Sequence, residues 1–171
     1  MSDRTPKPSA IRDGPEDQRD DHGSVPLRAE TRTEVDLDRV AAQLMTSAWL
    51  GEEIDRDERG MRRVLSDLEL GVGSDRPVAF RKSMIIALGA PRNEADVWTV
   101  PIEWQAASLA PLFPVFVGEV RIAPKRVVIE GRYAPPFGVL GAVLDRAVLG
   151  IAARGTAKVI LGRFVEAVSR T

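Results

Sequence analysis

The chain has no cysteine among its 171 residues and a single histidine, His22. Without thiols, disulfides and thiolate chemistry are excluded. With the one imidazole at position 22, in a segment set apart below, no Ser-His or Cys-His nucleophile system can be assembled in the rest of the chain. A metal site would have to be built from carboxylates alone. No apolar run approaches the roughly 20 residues of a membrane span. The best stretch, Phe137 to Ala153, is broken by Asp145-Arg146. The N-terminus has no apolar core of a secretory signal, so a cytoplasmic location is the expectation. Charge of either sign is not in excess, with 24 Lys and Arg against 25 Asp and Glu. Phosphate recognition needs clustered positive charge, so nucleic acid is not an expected partner.

What is present divides unevenly. Met1 to Ser24 holds almost no large apolar side chain beyond Met1 and Ile11 and is crowded with Asp, Arg, Pro, Gly and Ser. Such a segment cannot bury enough apolar surface to offset the entropy of ordering it. Residues 1–24 are therefore expected to be a disordered tail, and residues 25–171 one domain of ordinary size. With the tail set aside, 20 basic and 19 acidic residues remain.

Within the domain, apolar and polar residues alternate in six runs, the period of half-buried strands. They are Leu27–Val35, Leu65–Val72, Phe80–Leu88, Val97–Ala106, Val115–Ala123 and Arg126–Tyr133. Asp36 or Asp38 can cap a helix that runs to about Leu50, with Gly51 as its stop. Glu52 to Arg63 is charged and reads as loop, and Pro91 to Glu94 as a turn. Pro101 marks an edge or bulge in its strand. No helix separates consecutive later strands, so their pairing is antiparallel. Pro136 to Arg170 reads as one long terminal helix whose first half carries the stripe Leu140, Val143, Leu144, Ala147, Val148, Ile151. Its five glycines lower helix propensity by roughly 1 kcal/mol each, so tertiary packing must hold it, and inward-facing glycines would let it lie close to the sheet. Leu149, Ile160 and Phe164 fall on its less buried side.

This order of elements resembles the helix-grip fold of the START-like, or SRPBCC, superfamily. So do the stretches Pro101-Ile102-Glu103-Trp104, Leu112-Phe113-Pro114-Val115-Phe116 and Gly131-Arg132-Tyr133-Ala134-Pro135-Pro136, which are similar to the ends of bacterial members of uncharacterised function. The superfamily includes lipid-transfer domains and polyketide cyclases. The resemblance implies an α+β fold with a curved antiparallel sheet of six to seven strands wrapped around the long C-terminal helix, and an apolar cavity between them. Carried over, that cavity is lined by Trp98, Val100, Ile102, Trp104, Phe116, Val120, Ile122, Ile129 and Tyr133, and covered by Leu140, Leu144, Val148 and Ile151.

The polar candidates are few. Lys82 stands on an apolar face, where it meets a ligand's carboxylate or phosphate, or snorkels to water from a strand end. Tyr133, the one tyrosine, sits at the end of the last strand, as a hydrogen-bond donor at a cavity mouth or as a packing residue. Trp98 and Trp104 serve equally as pocket wall or as core. Glu103, Glu119 and Glu130 lie on outward faces, interleaved with Arg121, Arg126 and Arg132. Cross-strand charge pairs explain them better than a metal. No cofactor is expected.

The leading expectation is a non-catalytic protein that binds a small hydrophobic or amphipathic ligand, lipid or polyketide-like. The first alternative is a cyclase or aromatase-type enzyme using Lys82, Tyr133, Thr31 and Thr33. The second is a solid-core interaction module presenting the outer face of the last helix, where basic residues also allow weak contact with a membrane surface.

Overall fold

In a computed structural model, the described residues are 24–72, 78–108, 115–134 and 142–169, with side chains described except at 70–72, 78–80 and 142–152. The expected tail up to residue 23, the connections at 73–77 and 109–114, and the expected helix start at 136–141 lie outside them. The elements are β1 (Val25–Arg32), α1 (Leu37–Thr46), β2 (Glu52–Arg56), β3 (Arg62–Val72), β4 (Val78–Leu88), β5 (Arg92–Glu94), β6 (Val97–Ala106), β7 (Val115–Ala123), β8 (Arg126–Ala134) and α2 (Ala142–Ser169). The fold is α+β. All eight strands join one antiparallel sheet in the order β1-β8-β7-β6-β4-β3-β2, with β5 attached to β6.

Alternation along each strand puts the apolar residues on one face, and the register aligns them in rows. One row runs Val25, Tyr133, Phe116, Trp104, Ile86, Val64 across six strands. The next runs Leu27, Gly131, Gly118, Ile102, Leu88, and a third Ala29, Ile129, Val120, Val100. The glycine pair in the middle row has a steric cause. A Cβ on Gly118 would stand 2.6 Å from Phe116 Cζ, and one on Gly131 2.7 Å from the same atom. The Phe116 ring therefore occupies the side-chain space of both glycines, and its own face stacks on Trp104 with centroids 3.7 Å apart and planes 13° from parallel.

Against this face α2 buries Ala153, Ala157, Ile160, Leu161, Phe164 and Val168, a spacing of one helical stripe. It packs on β1 and β8 at one end of the strand order, on β3 near the other, and on α1.

α1 starts where Asp36 accepts a hydrogen bond from the Asp38 N–H at 3.0 Å. It ends at Thr46, four residues short of the expected Leu50, and is capped by Ser47, whose φ of 52° is left-handed. Its last turn carries no basic residue. The cation comes instead from β3: the buried Arg62 donates to the carbonyl oxygens of Met45, at 2.9 Å, and Leu44. These are C-terminal carbonyls without helical partners.

Three sequence expectations are corrected. The Glu52–Arg63 loop is a hairpin, β2 to β3, closed by Asp57, whose carboxylate accepts from the N–H groups of Arg59 and Met61, both at 2.9 Å, with Gly60 at φ +76°. Every residue of β2 is exposed, so it has no apolar alternation to read. The Pro91–Glu94 turn contains β5, joined to β6 by the two-residue turn Ala95-Asp96, with φ of 48° and 64°. Both values are positive, as in a type I′ hairpin turn, which usually carries Asn-Gly. Among the described residues the sheet thus has eight strands rather than six or seven. Third, Ile160 and Phe164 belong to the core and not to the less buried side. The stripe through Leu144, Val148 and Ile151, extended at 3.6 residues per turn, passes Gly155, Lys158 and Gly162, none of which is buried. A Cβ on Gly155 or Gly162 would meet nothing within 4 Å, so these two glycines do not bring α2 close to the sheet.

Pro101 lies where β4 stops pairing: the last β4–β6 pair is Leu88 with Ile102, and the Gly89 N–H donates to the Pro101 oxygen at 2.9 Å. The missing proline N–H falls where the ladder has ended.

Candidate functional site

The expected cavity wall is present as a face but not as an open surface. Val100, Ile102, Trp104, Phe116, Val120, Ile122, Ile129 and Tyr133 are all buried, and Trp98 is half-buried against the same core. The free space between α2 and the sheet here is about 10 Å³, lined by apolar side chains from Leu44 and Trp49 to Leu161 and Phe164. Roughly 10–15 Å³ is the least that holds one water. Over the described part of the interior these residues are packed core. Leu140 lies outside the described residues, as do the side chains of Leu144, Val148 and Ile151.

The polar candidates are dispersed. The Lys82 ammonium, half-buried on β4, donates to the Ser108 carbonyl oxygen at 3.1 Å and to Ser108 Oγ at 3.4 Å. Thr33 Oγ1 donates to the Glu34 carbonyl oxygen at 3.4 Å. Tyr133 pairs with Val25 at the start of β1, whereas Thr31 pairs with Val127. Six residues of strand separate Val25 from Thr31, roughly 20 Å. The structure does not bring Thr31, Thr33, Lys82 and Tyr133 together into one reacting centre.

The outer face carries charge pairs. The Arg59 guanidinium grips Glu103 through two bonds of 2.6 and 2.7 Å and also Asp57 at 2.9 Å, tying the β2–β3 turn to β6. Glu103 and then Asp57 hold the Arg59 guanidinium above its ordinary basicity. At Asp57 desolvation opposes the charge, but the N–H groups of Met61 and Arg59 and the Arg59 guanidinium outweigh it, keeping the carboxyl below its ordinary value. Glu119 pairs with Arg121 at 2.5 Å, and Glu130 with Arg28 at 2.6 Å and Arg121 at 3.1 Å. The three glutamates are thus members of ion pairs, and among the described residues no group of three acids or histidines is placed to hold a metal.

One groove beside the core was not singled out by the sequence. A groove of about 640 Å³ lies between α1 and the end of α2, lined by Arg39, Ala42, Gln43, Ala48, Trp49, Arg163, Glu166 and Ala167. Its floor is fixed. Arg163 Nη1 donates to the Leu50 carbonyl oxygen at 3.0 Å and to Ser66 Oγ at 2.8 Å, Arg163 Nη2 donates to the Asp67 carbonyl oxygen, and Ser66 Oγ donates to Leu50 at 2.6 Å. The half-buried Trp49 sits edge-on to Phe164, centroids 5.0 Å apart at 73°, and its buried Nε1 has no hydrogen-bond partner among the described residues. A buried donor left unmade costs about 1–3 kcal/mol. The only sequence signal for this site was an aromatic between the end of α1 and Gly51.

Among the described residues no helix is long and apolar enough to cross a membrane. Compared with protein-family models, with curated proteins and with solved structures, the chain shows no significant match.

Proposed function

We propose that the chain is a helix-grip protein that binds a small hydrophobic or amphipathic molecule without transforming it. One observation carries this reading: α2 packs on β1 and β8 and also on β3, strands near opposite ends of the strand order, as an apolar face curved around a single helix would have it. A curved apolar face closed by one helix is the kind of concave, mostly apolar enclosure that small-ligand sites use. The scattered polar candidates favour binding over a cyclase-type reaction, which needs convergent acid, base or hydroxyl groups. A ligand would be accommodated either beside the aromatic row Trp104, Phe116, Tyr133 or by displacement of a core side chain.

The filled interior supports a second reading, a solid-core interaction protein, since about 10 Å³ admits no ligand as it stands. Titration with dansyl-undecanoic acid, read by energy transfer from the tryptophans, separates the two. Ligand binding predicts saturable uptake of one probe per chain. A linear, unsaturable signal would favour the solid core.

A further inference from the structure

The groove of about 640 Å³ outside the core and the void of about 10 Å³ within it share one lining residue, Trp49. We infer that the Trp49 indole is a side-chain gate. Swung outward, it joins the α1–α2 groove to the apolar interior and opens a site for an amphipathic molecule with one narrow apolar chain. The inference rests on the small-ligand reading above and gives that ligand a place and a route.

Three observations meet at this residue. The backbone around it is fixed: Leu50 N–H donates to the Ser47 carbonyl oxygen at 2.9 Å, and the Leu50 carbonyl oxygen accepts from both Ser66 and Arg163. Among the described residues the indole has no polar anchor, its Nε1 being buried without a partner, and its ring stands edge-on to Phe164. A fixed backbone carrying an unanchored ring favours rotamer exchange over loop movement. Third, the two spaces differ in chemistry as an amphiphile requires. The inner one is lined by aliphatic and aromatic side chains alone, including Leu44, Val120 and Ile160. The outer one has the apolar Ala42 and Ala167 beside Arg39, Gln43 and Glu166, whose polar groups suit a head that stays near water. The far end of the tail would take the volume the indole leaves, with the rest of the chain running past Ala42 and Ala167 to the head.

Stopped-flow binding of dansyl-undecanoic acid tests this, with energy transfer from Trp98 and Trp104 as the signal common to the wild type and Trp49→Ala. The gate predicts that Trp49→Ala speeds association about tenfold and tightens the equilibrium, because the cost of opening is removed in advance. If Trp49→Ala loses its cooperative melt, Trp49→Leu is measured instead, with the same direction expected. Wild type and variant binding at one rate, or binding by the wild type alone, would overturn the gate and leave the small-ligand reading standing. No uptake by either folded protein would overturn both.

Discussion

Gly118 and Gly131 face each other across β7 and β8, and the Phe116 ring fills the space that a side chain at either would need. A methyl at either glycine would collide with the ring and with backbone oxygens 2.3 Å away. Gly118→Ala and Gly131→Ala should each cost about 1–3 kcal/mol, the range for overpacked cores, measured by urea denaturation. A neutral result would mean that both the Phe116 ring and the paired backbone yield to the methyl. The two glycines of α2 that face open space make the opposite case. Gly155→Ala and Gly162→Ala should each stabilise by about 0.5–1 kcal/mol, seen as a higher Tm. Arg62 belongs to the same scale. Arg62→Met removes the cation from the α1 carbonyls and should destabilise by about 1.5–3 kcal/mol. Alternation alone identified Trp104, Ile102 and Ile129 as inner-face residues, because period-two burial is a local pattern. It could not identify Arg62 as a helix cap, since the partners are 17 and 18 positions away and meet only in the folded chain.

Elements were legible in proportion to how much of their own apolar surface they bury. β6, β7 and β8 alternate cleanly and lie where the sequence placed them to within one residue. β2 is fully exposed and β5 is three residues long, so each is held by backbone pairing and turn geometry with no apolar pattern to signal it. The hairpin turn before β6 uses Ala95 at φ 48°, where Asn or Gly is the usual signal. α2 misled for another reason: the apolar stripe read along its first half and the buried stripe of its second half are out of phase on one helix. Turn chemistry also sets an expected pH response. The folded-state pKa of Asp57 is depressed, so its contribution to stability is present above the unfolded carboxylate value, about 4, and is lost as pH falls through the folded value. The Tm difference between the wild type and Asp57→Asn should therefore be constant near neutrality and shrink below about pH 4. A difference independent of pH would show that the Asp57 charge does not brace the β2–β3 turn.

At the scale of the whole molecule, α2 packs on one face of the sheet, and the described part of the space between them is closed to about 10 Å³. The α+β class and the antiparallel sheet were legible because hairpin order and a terminal helix leave few alternatives. Whether the inner face is a wall or a core was not legible, because the same apolar residues serve both, and only packing distances separate them. The Trp49 groove was illegible for the same kind of reason: Arg39 and Gln43 on one helix meet Glu166 and Ala167 on another across more than a hundred positions of sequence. The central claim is that this enclosure carries a small molecule. Native mass spectrometry of the gently purified chain, followed by solvent extraction of whatever is bound, tests it most directly. The account predicts a stoichiometric hydrophobic or amphipathic mass released on denaturation. A chain that is folded, empty, and takes up no amphiphile added in excess would contradict it.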